Sequence, residues 1–230
     1  MVNGDILERP LYQIADAAKL AGTTASALKR WSSSYEVPRS YTHAKTERPL
    51  IIASPGDDGG LFSFLNLMEA RFIVVYRRSG VPLRSIQVAV EFSRRQFEDL
   101  HPLRSRRFET DGCHLFARVE EETGVQGLVA FSAAGQLAWP SVVREFFESV
   151  EYDEANRPLR WWPQGRSHAI IVDPRFAFGY PVVSGKFVRT DVLAERFQAG
   201  EAIDSIALDF GLETASVEEA VRYELTLMAA

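Results

Sequence analysis

Residues 12–31 read YQIADAAKLAGTTASALKRW. Apolar residues recur at helical spacing on both sides of a glycine, which predicts a short helix, a turn at Gly22 and a second short helix with a basic end. Ile14, Ala18 and Leu28 fall where two such helices would meet. The pattern is typical of a helix-turn-helix, although two short helices with small residues at their crossing also occur in domains that bind no nucleic acid.

The second predicted helix has a polar face suited to a DNA major groove. A threonine at its start, Thr23 or Thr24, can cap the helix through its hydroxyl group. We expect the polar side chains of this helix to contact bases or phosphates; they are Thr23, Thr24, Ser26, Lys29 and Arg30. Trp31 is predicted to lie in the core instead.

A β-hairpin is predicted to follow the second helix. The cluster PGDDGG at residues 55–60 lies between the apolar runs 50–53 and 61–62, which is the pattern of a turn between two short strands. A hairpin in this place is the wing of a winged helix. Three cations on or before its first strand are expected to contact DNA phosphates: Arg39, Lys45 and Arg48.

Two further helical patterns complete the front of the chain. Ser63 is a predicted cap for the first, Gly80 ends it, and Pro82 opens the second. The spacing in residues 12–31, together with a Gly-x-x-Leu-x-x-Ile pattern that begins at Gly80, resembles the MerR-like winged-helix regulators. The resemblance covers about the first 100 residues and implies DNA binding. The chain departs from it in lacking a long dimerising coiled coil and a metal-sensing cysteine cluster.

The middle of the chain, residues 108–166, is predicted to be a small α+β connector. Its predicted elements are strands at 114–119 and 127–132, a helix at 141–150 and a hairpin that pairs 150–153 with 159–162. The run Glu120-Glu121-Glu122 is interpreted as a solvated turn, and Asp173-Pro174 further on as another. The Trp161-Trp162 pair belongs to the core or to a dimer contact.

The last segment, residues 167–230, carries three helical patterns punctuated by Gly200 and Gly211. The order of its glycines, prolines and apolar residues resembles a small domain of formerly unknown function that is common in bacterial antitoxins. The family's Gly-Thr-Arg-Ile-Pro run is replaced here by GKFVR at 185–189. Together, the two ends resemble the VapB-type antitoxins of toxin–antitoxin operons. The predicted fold class is thus α+β, mainly α, with domains at 1–107, 108–166 and 167–230.

Charge is distributed unevenly along the chain. The net charge is −5, but residues 1–107 hold 16 Lys and Arg against 11 Asp and Glu, and residues 108–230 hold 10 against 20. The halves therefore carry +5 and −10, which favours a polyanionic partner for the front and a basic partner for the back. Uneven charge is also common in proteins without such partners.

The resemblance to VapB-type antitoxins implies a toxin partner of the PIN-type ribonuclease class. The last helix offers an apolar stripe edged by carboxylates, although such a stripe is more often part of a core. The predicted toxin-contacting residues are Glu218, Val221, Glu224 and Leu225. We also expect a homodimer on a partly palindromic operator, formed through the connector or the final helices.

The sequence offers little support for catalysis or metal binding. The four histidines and the single Cys113 are scattered without metal-ligand spacing, and no glycine-rich phosphate loop is present. No enzyme activity, metal or cofactor is therefore expected, and with no secretory signal or apolar span we expect a cytoplasmic protein. Two functions remain open: an antitoxin that represses its own operon, and a one-component regulator that senses a small effector.

Overall fold

The front of the chain is a set of packed helices. The structure, a computed structural model, describes residues 5–32, 52, 61–97, 114, 116–121, 124, 129–131 and 137–229. Within these residues the fold is α+β and mainly helical, as predicted. Its first four helices are α1 (Ile14–Ala21), α2 (Ala25–Ser32), α3 (Phe64–Arg78) and α4 (Leu83–Phe97).

Local sequence signals set the ends of α3 and α4. Ser63 caps α3 as predicted: its Oγ accepts a hydrogen bond from the backbone N–H of Asn66 at 3.2 Å, and the Asn66 side chain accepts one from the Ser63 N–H at 3.1 Å. This reciprocal capping box satisfies two N–H groups that a helix start would leave unpaired. Gly80, with φ of +89°, turns the chain after α3, and Pro82 directly precedes α4.

The middle of the chain contains short strands and one helix, α5 (Ser141–Glu148). The strands pair antiparallel, β1 (Ala130–Phe131) with β2 (Leu137–Ala138) and β3 (Val150–Tyr152) with β4 (Pro158–Trp161). The predicted hairpin is confirmed. Helix α5 ends two residues before the predicted boundary because Val150 pairs with Trp161 in the hairpin.

The predicted strand at 114–119 is wrong. His114 and residues 116–121 are helical, and Phe116 and Val119 are fully buried while Arg118 is exposed. Apolar residues three positions apart share one face of a helix, whereas on a strand they would point to opposite faces. Glu120 and Glu121 belong to this helix and not to a turn; the N–H of Gly124, at φ of +69°, donates to the Glu120 carbonyl at its end.

The back of the chain contains the three predicted helices together with a small sheet that was not predicted. Strands β5 (Ile170–Ile171), β6 (Val182–Val183) and β7 (Val188–Arg189) form an antiparallel sheet in that order. The helices are α6 (Thr190–Gln198), α7 (Ile203–Phe210) and α8 (Thr214–Ala229). Gly211 ends α7 in a left-handed conformation with φ of 61°.

Two hydrophobic cores hold these elements together. The first runs from Leu7 to Val172 and joins the front helices to α5 and the β3–β4 hairpin. The second lies between the β5–β7 sheet and helices α6, α7 and α8. Trp161 lies in the first core and Trp162 is half-buried. The first core contains residues from both the front and the middle of the chain, so it marks no boundary between them. The domain boundaries at 107 and 166 stay predictions.

The β3–β4 hairpin is fastened to the back of the chain through Asp173. This carboxylate is fully buried and accepts hydrogen bonds from Arg160 Nε at 3.0 Å and from Arg175 Nη2 at 2.6 Å. Burial alone would raise the pKa of Asp173, but the hydrogen bonds from Arg175 and Arg160 outweigh it and hold the pKa below its usual value. The predicted turn is present, since the Phe176 N–H donates to the Asp173 carbonyl at 3.0 Å, and the Asp173 side chain adds a buried ionic junction to it.

Asp173→Asn should lower the free energy of unfolding at neutral pH by roughly 2–3 kcal/mol, because two guanidinium groups lose their buried counter-charge. Because folding lowers the pKa of Asp173, its carboxylate stabilises the fold fully at pH values above the ordinary carboxyl pKa. This stabilisation is lost as the pH falls through the folded-state pKa of Asp173. Urea unfolding at neutral pH and through the acid range should therefore show the two proteins converging in acid.

The matched control is Asp209→Asn, since Asp209 is 55% exposed and pairs with Arg196 at the surface. It should cost less than about 1 kcal/mol. Equal losses in the two variants, or a difference that persists in acid, would contradict the role given to Asp173.

A second junction joins the front of the chain to its back. Tyr12 is fully buried, and its hydroxyl donates to the Gly179 carbonyl at 2.8 Å across 167 residues of sequence. Burial raises the pKa of this hydroxyl far above its ordinary value, so the hydroxyl stays protonated as a donor. Gly179 has φ of +77°, and a Cβ placed there would lie 2.2 Å from the Tyr12 hydroxyl oxygen.

Gly179→Ala should therefore destabilise the protein more than Gly185→Ala does. Both glycines have positive φ, +77° and +83°, so both variants carry the left-handed backbone cost of about 1–2 kcal/mol. The Cβ at 185 meets no atom within 4 Å, whereas at 179 it forces the buried Tyr12 ring to move. We expect a further loss of about 1–3 kcal/mol at 179, measured by urea unfolding; equal losses would contradict this close approach.

Candidate DNA-binding site

Helices α1 and α2 form the predicted helix-turn-helix. Gly22 ends α1 at φ of +76° and ψ of 41°, and its N–H donates to the Lys19 carbonyl. Helix α2 then begins after Thr24, whose Oγ1 accepts a hydrogen bond from the Ala27 N–H at 3.2 Å. Thr24 is thus the capping threonine, and Thr23 is half-buried in the turn.

The inner face of α2 is apolar and packs into the first core. Leu28 is fully buried and Trp31 is 6% exposed, so the placement of Trp31 in the core is confirmed. On α1, Ala18 is buried and Ile14 packs against the same core. These contacts fix α2 by one side and leave its other side to solvent.

The outer face of α2 presents the predicted DNA-contacting residues. Ser26, Lys29 and Arg30 are exposed, as is Thr24, whose Oγ1 lies 3.1 Å from the Ser26 Oγ. In the part of the chain that the structure describes, neither Lys29 nor Arg30 forms an ion pair with a carboxylate. Two free cations beside two hydroxyl groups on one exposed helix face can donate to base edges and phosphate oxygens.

The predicted wing lies outside the described residues. Arg39, Lys45 and Arg48 belong to residues 33–51, and the turn of the hairpin belongs to residues 53–60. The segments next to the wing attach to the helix-turn-helix: the Ile52 N–H donates to the Trp31 carbonyl at 3.0 Å, and Phe62 forms a β-bridge with Tyr12.

Helix α1 is also held by the back of the chain. The hydroxyl of Tyr180 donates to the Asp16 carboxylate at 2.8 Å, and Lys19 forms an ion pair with Glu224 at 3.5 Å. The pKa of Tyr180 rises to about 12, first because of partial burial and then because of its hydrogen bond to Asp16. No local pattern marks partners that are 164 residues apart, so sequence reasoning missed these contacts.

The predicted toxin-contacting residues divide into two groups. Glu218 and Leu225 are exposed on α8, Leu225 by 46%. Val221 and Glu224 are buried, which corrects the prediction that all four share one surface. Val221 packs in the second core, and Glu224 accepts a hydrogen bond from the Thr190 hydroxyl at 2.6 Å, so neither is free to meet a partner.

The described residues offer no separate metal or membrane feature. Among them, no group of three or more His, Cys, Asp and Glu side chains is placed to hold a metal ion. None of the helices that the structure describes is long and apolar enough to cross a membrane. Cys113 lies outside the described residues.

Comparison with known proteins assigns the two ends of the chain to two family models. The model described as "Putative DNA-binding HTH domain" matches residues 10–90, which contain α1, α2 and α3. The model described as "Protein of unknown function (DUF433)" matches residues 170–223, which contain the β5–β7 sheet and the helices that follow it. The DNA-binding helix-turn-helix predicted for the front is supported directly by the first match.

Whole-chain relatives come from Mycobacterium tuberculosis (strain ATCC 25618 / H37Rv). "Putative antitoxin VapB45" is 26% identical, and the match covers 92% of each chain. "Uncharacterized protein Rv2308" is 25% identical, over 95% of this chain and 91% of the relative. The crystal structure of Rv2018 from Mycobacterium tuberculosis shares the fold, with a TM-score of 0.74 and 23% identity, and covers 93% of this chain and 97% of that one. The predicted resemblance is thereby confirmed: the chain is similar over most of its length to "Putative antitoxin VapB45", and its two ends match the "Putative DNA-binding HTH domain" model and the DUF433 model.

Proposed function

We propose that this protein is an antitoxin that neutralises a cognate toxin and represses its own operon. The observation that carries the proposal is the exposed polar face of α2, which presents Lys29 and Arg30 without carboxylate partners among the described residues. The antitoxin homologue supports the first half of the proposal, and the helix-turn-helix match supports the second. Binding to operator DNA would place the protein in the cytoplasm.

Helix α2 is the recognition helix in this proposal. Lys29 and Arg30 contact base edges, and Thr24 and Ser26 contact bases or phosphates; Thr23, half-buried in the turn, can offer a phosphate contact at the edge of this face. The wing cations Arg39, Lys45 and Arg48 contact the phosphate backbone.

A Lys29→Ala, Arg30→Ala double variant should lose operator DNA in gel-shift titrations. Each lost base contact costs on the order of 1–3 kcal/mol and relaxes sequence preference, because the phosphate contacts that remain carry no sequence information. Loss of one wing cation, as in Lys45→Ala, should instead weaken all sequences alike and flatten the salt dependence by about one unit of slope.

The matched control is Lys186→Ala with Arg222→Ala, which removes the same charge from exposed positions on the back of the chain. It should leave operator affinity within a factor of about three, because long-range charge is screened by salt. Normal operator retention by the Lys29 and Arg30 variant would remove α2 from the proposal.

We place two copies of the protein on the operator. A single short recognition helix contacts too few base pairs to select one site in a genome, whereas a dimer doubles the site and matches a palindrome. The connector and the final helices are the surfaces available for this contact.

In this proposal the toxin belongs to the PIN-type ribonuclease class and binds the back of the chain. A ribonuclease needs a basic face for RNA, and the −10 charge of residues 108–230 suits such a face. Within this half, exposed Glu218 lies two turns before the 46%-exposed Leu225 on the same face of α8, and Met228, which is 56% exposed, lies one turn after Leu225. An apolar strip flanked by a carboxylate fits a basic partner better than a purely charged surface would.

A Glu218→Lys, Leu225→Asp variant of the full chain should therefore capture less of the neighbouring operon's gene product in a pull-down, by about tenfold or more in affinity. The full chain is needed, because the first core joins residues on both sides of position 108. Glu154→Lys is the control, since it makes the same charge reversal in the exposed turn of the β3–β4 hairpin. Equal capture by all three proteins would contradict a toxin surface on α8.

The second candidate function, a regulator that senses a small effector, is favoured by one observation. A cavity of about 690 Å³ lies among α3, α5 and residues 161–166. It is independent of the toxin surface on α8, so the two functions are compatible in one protein.

A further inference from the structure

The cavity lies between α3 and α5, and two of its lining residues, Arg71 and Arg78, also reach Gly22 in the turn of the helix-turn-helix. Helix α3 forms one wall with Arg71, Val75 and Arg78, and helix α5 forms the opposite wall. Trp161 and the segment after β4 close one end. A volume of about 690 Å³ is in the range of sites that hold small organic molecules.

Arg71 extends from the first core into this cavity. Its Nη1 donates to the Ala21 carbonyl at the end of α1, at 3.1 Å, while its Nε is buried without a hydrogen-bond partner. Its guanidinium lies 5.5 Å from the centre of the Trp161 ring. Burial, and then the charge of Arg78, lower the pKa of Arg71 to about 10. A desolvated guanidinium favours an anion beside the part of the side chain that lines the cavity.

Arg78 supplies a second guanidinium at the same place. A Cβ on Gly22 would lie 3.1 Å from Arg71 Nη1 and also 3.1 Å from Arg78 Nη2, so the two groups converge on the turn. Among the described residues, no carboxylate lies within ion-pair distance of either arginine. Two converging cations with no carboxylate in ion-pair distance among the described residues favour an anion between them.

The other walls restrict the anion. Phe146, Trp161, Val75 and Val142 supply apolar surface, and Glu145 and Glu148 place negative charge on the α5 side. A third arginine in the lining, Arg166, donates to the Glu148 and Val150 carbonyls. The carboxylates oppose a ligand with several negative charges, and the apolar surface favours one with a hydrophobic body. Duplex DNA does not fit, because the backbone of a double helix cannot enter a cavity between packed helices.

We infer that this cavity binds a small organic monoanion, a carboxylate attached to a compact apolar group, with the carboxylate between Arg71 and Arg78. The bidentate geometry of guanidinium groups suits a carboxylate, and Trp161 and Phe146 cover the apolar group. The site does not depend on the toxin, and its test does not require DNA. A bound anion would contact the same arginine that donates to the end of α1.

Benzoate is the probe, with benzamide and acetate as comparisons. Isothermal titration of the full chain at constant low salt should show saturable binding of benzoate, binding at least about tenfold weaker for benzamide, which lacks the charge, and likewise for acetate, which lacks the ring. In a ¹H–¹⁵N NMR titration, benzoate should shift the Gly22 amide, because both guanidinium groups lie against that residue.

The test variant is Arg78→Gln, since Arg78 is exposed and its loss leaves the core intact. It should weaken benzoate at least about tenfold. Arg84→Gln removes an exposed arginine of α4 outside the cavity and should bind benzoate like the unmodified chain. The inference is overturned if the unmodified chain does not bind benzoate, if benzamide or acetate binds equally well, or if Arg78→Gln leaves the affinity unchanged.

Discussion

The packing of helix α3 is the constraint on which the other elements depend. Almost every residue between Phe64 and Tyr76 is buried, so α3 must be covered on all sides by other elements. Helix α1 covers one side, and α5 covers another through an aromatic cluster in which the Phe72 ring lies 5.8 Å from that of Phe147 and 6.5 Å from that of Trp139. The middle of the chain therefore packs in one core with the front helices.

This arrangement explains why the helix-turn-helix is rigid without being large. Helix α1 packs on α3 from one direction and is tied to the back of the chain by Tyr12, Asp16 and Lys19 from another. Each of these three contacts contributes a modest free energy, but a buried hydrogen bond is costly to break because both of its partners are desolvated. Helix α2 packs against α1, so the back of the chain takes part in positioning the exposed residues of α2.

Sequence reasoning located those features whose signals are local. Gly22 marks a left-handed turn, Ser63 marks a helix start, and the apolar spacing around Leu28 and Trp31 marks a buried face, and the structure confirms each of them. The exposed face of α2 followed from the same spacing. The division of the last segment into three helices was predicted from glycines such as Gly211, which stop a helix by their backbone freedom.

Sequence reasoning failed where the apolar spacing fitted both a helix and a strand, and where the residue contacted is distant in the sequence. The short run around Phe116 fits a strand or a helix, and only the core it packs against decides between them. The sequence predicted Glu224 to be a solvent-facing carboxylate beside an apolar stripe. In the structure it is buried, where it accepts a hydrogen bond from Thr190 and forms an ion pair with Lys19, both remote in sequence. The cavity escaped notice for the same reason, because its walls come from three separate parts of the chain.

The charge asymmetry of the sequence has a partly internal explanation. Lys19 of the basic front pairs with Glu224 of the acidic back, and Asp5 pairs with Arg157 in the opposite sense. Within the back, Arg196 is shared by Glu201 and Asp209. Such pairs neutralise charge at contacts between elements and leave less of it for partners than the totals of the two halves suggest. The front is therefore distinguished more by where its cations lie than by its net charge. Lys29 and Arg30 lie on the face of α2 that does not pack in the core, whereas Arg71 and Arg78 lie on the cavity side of α3.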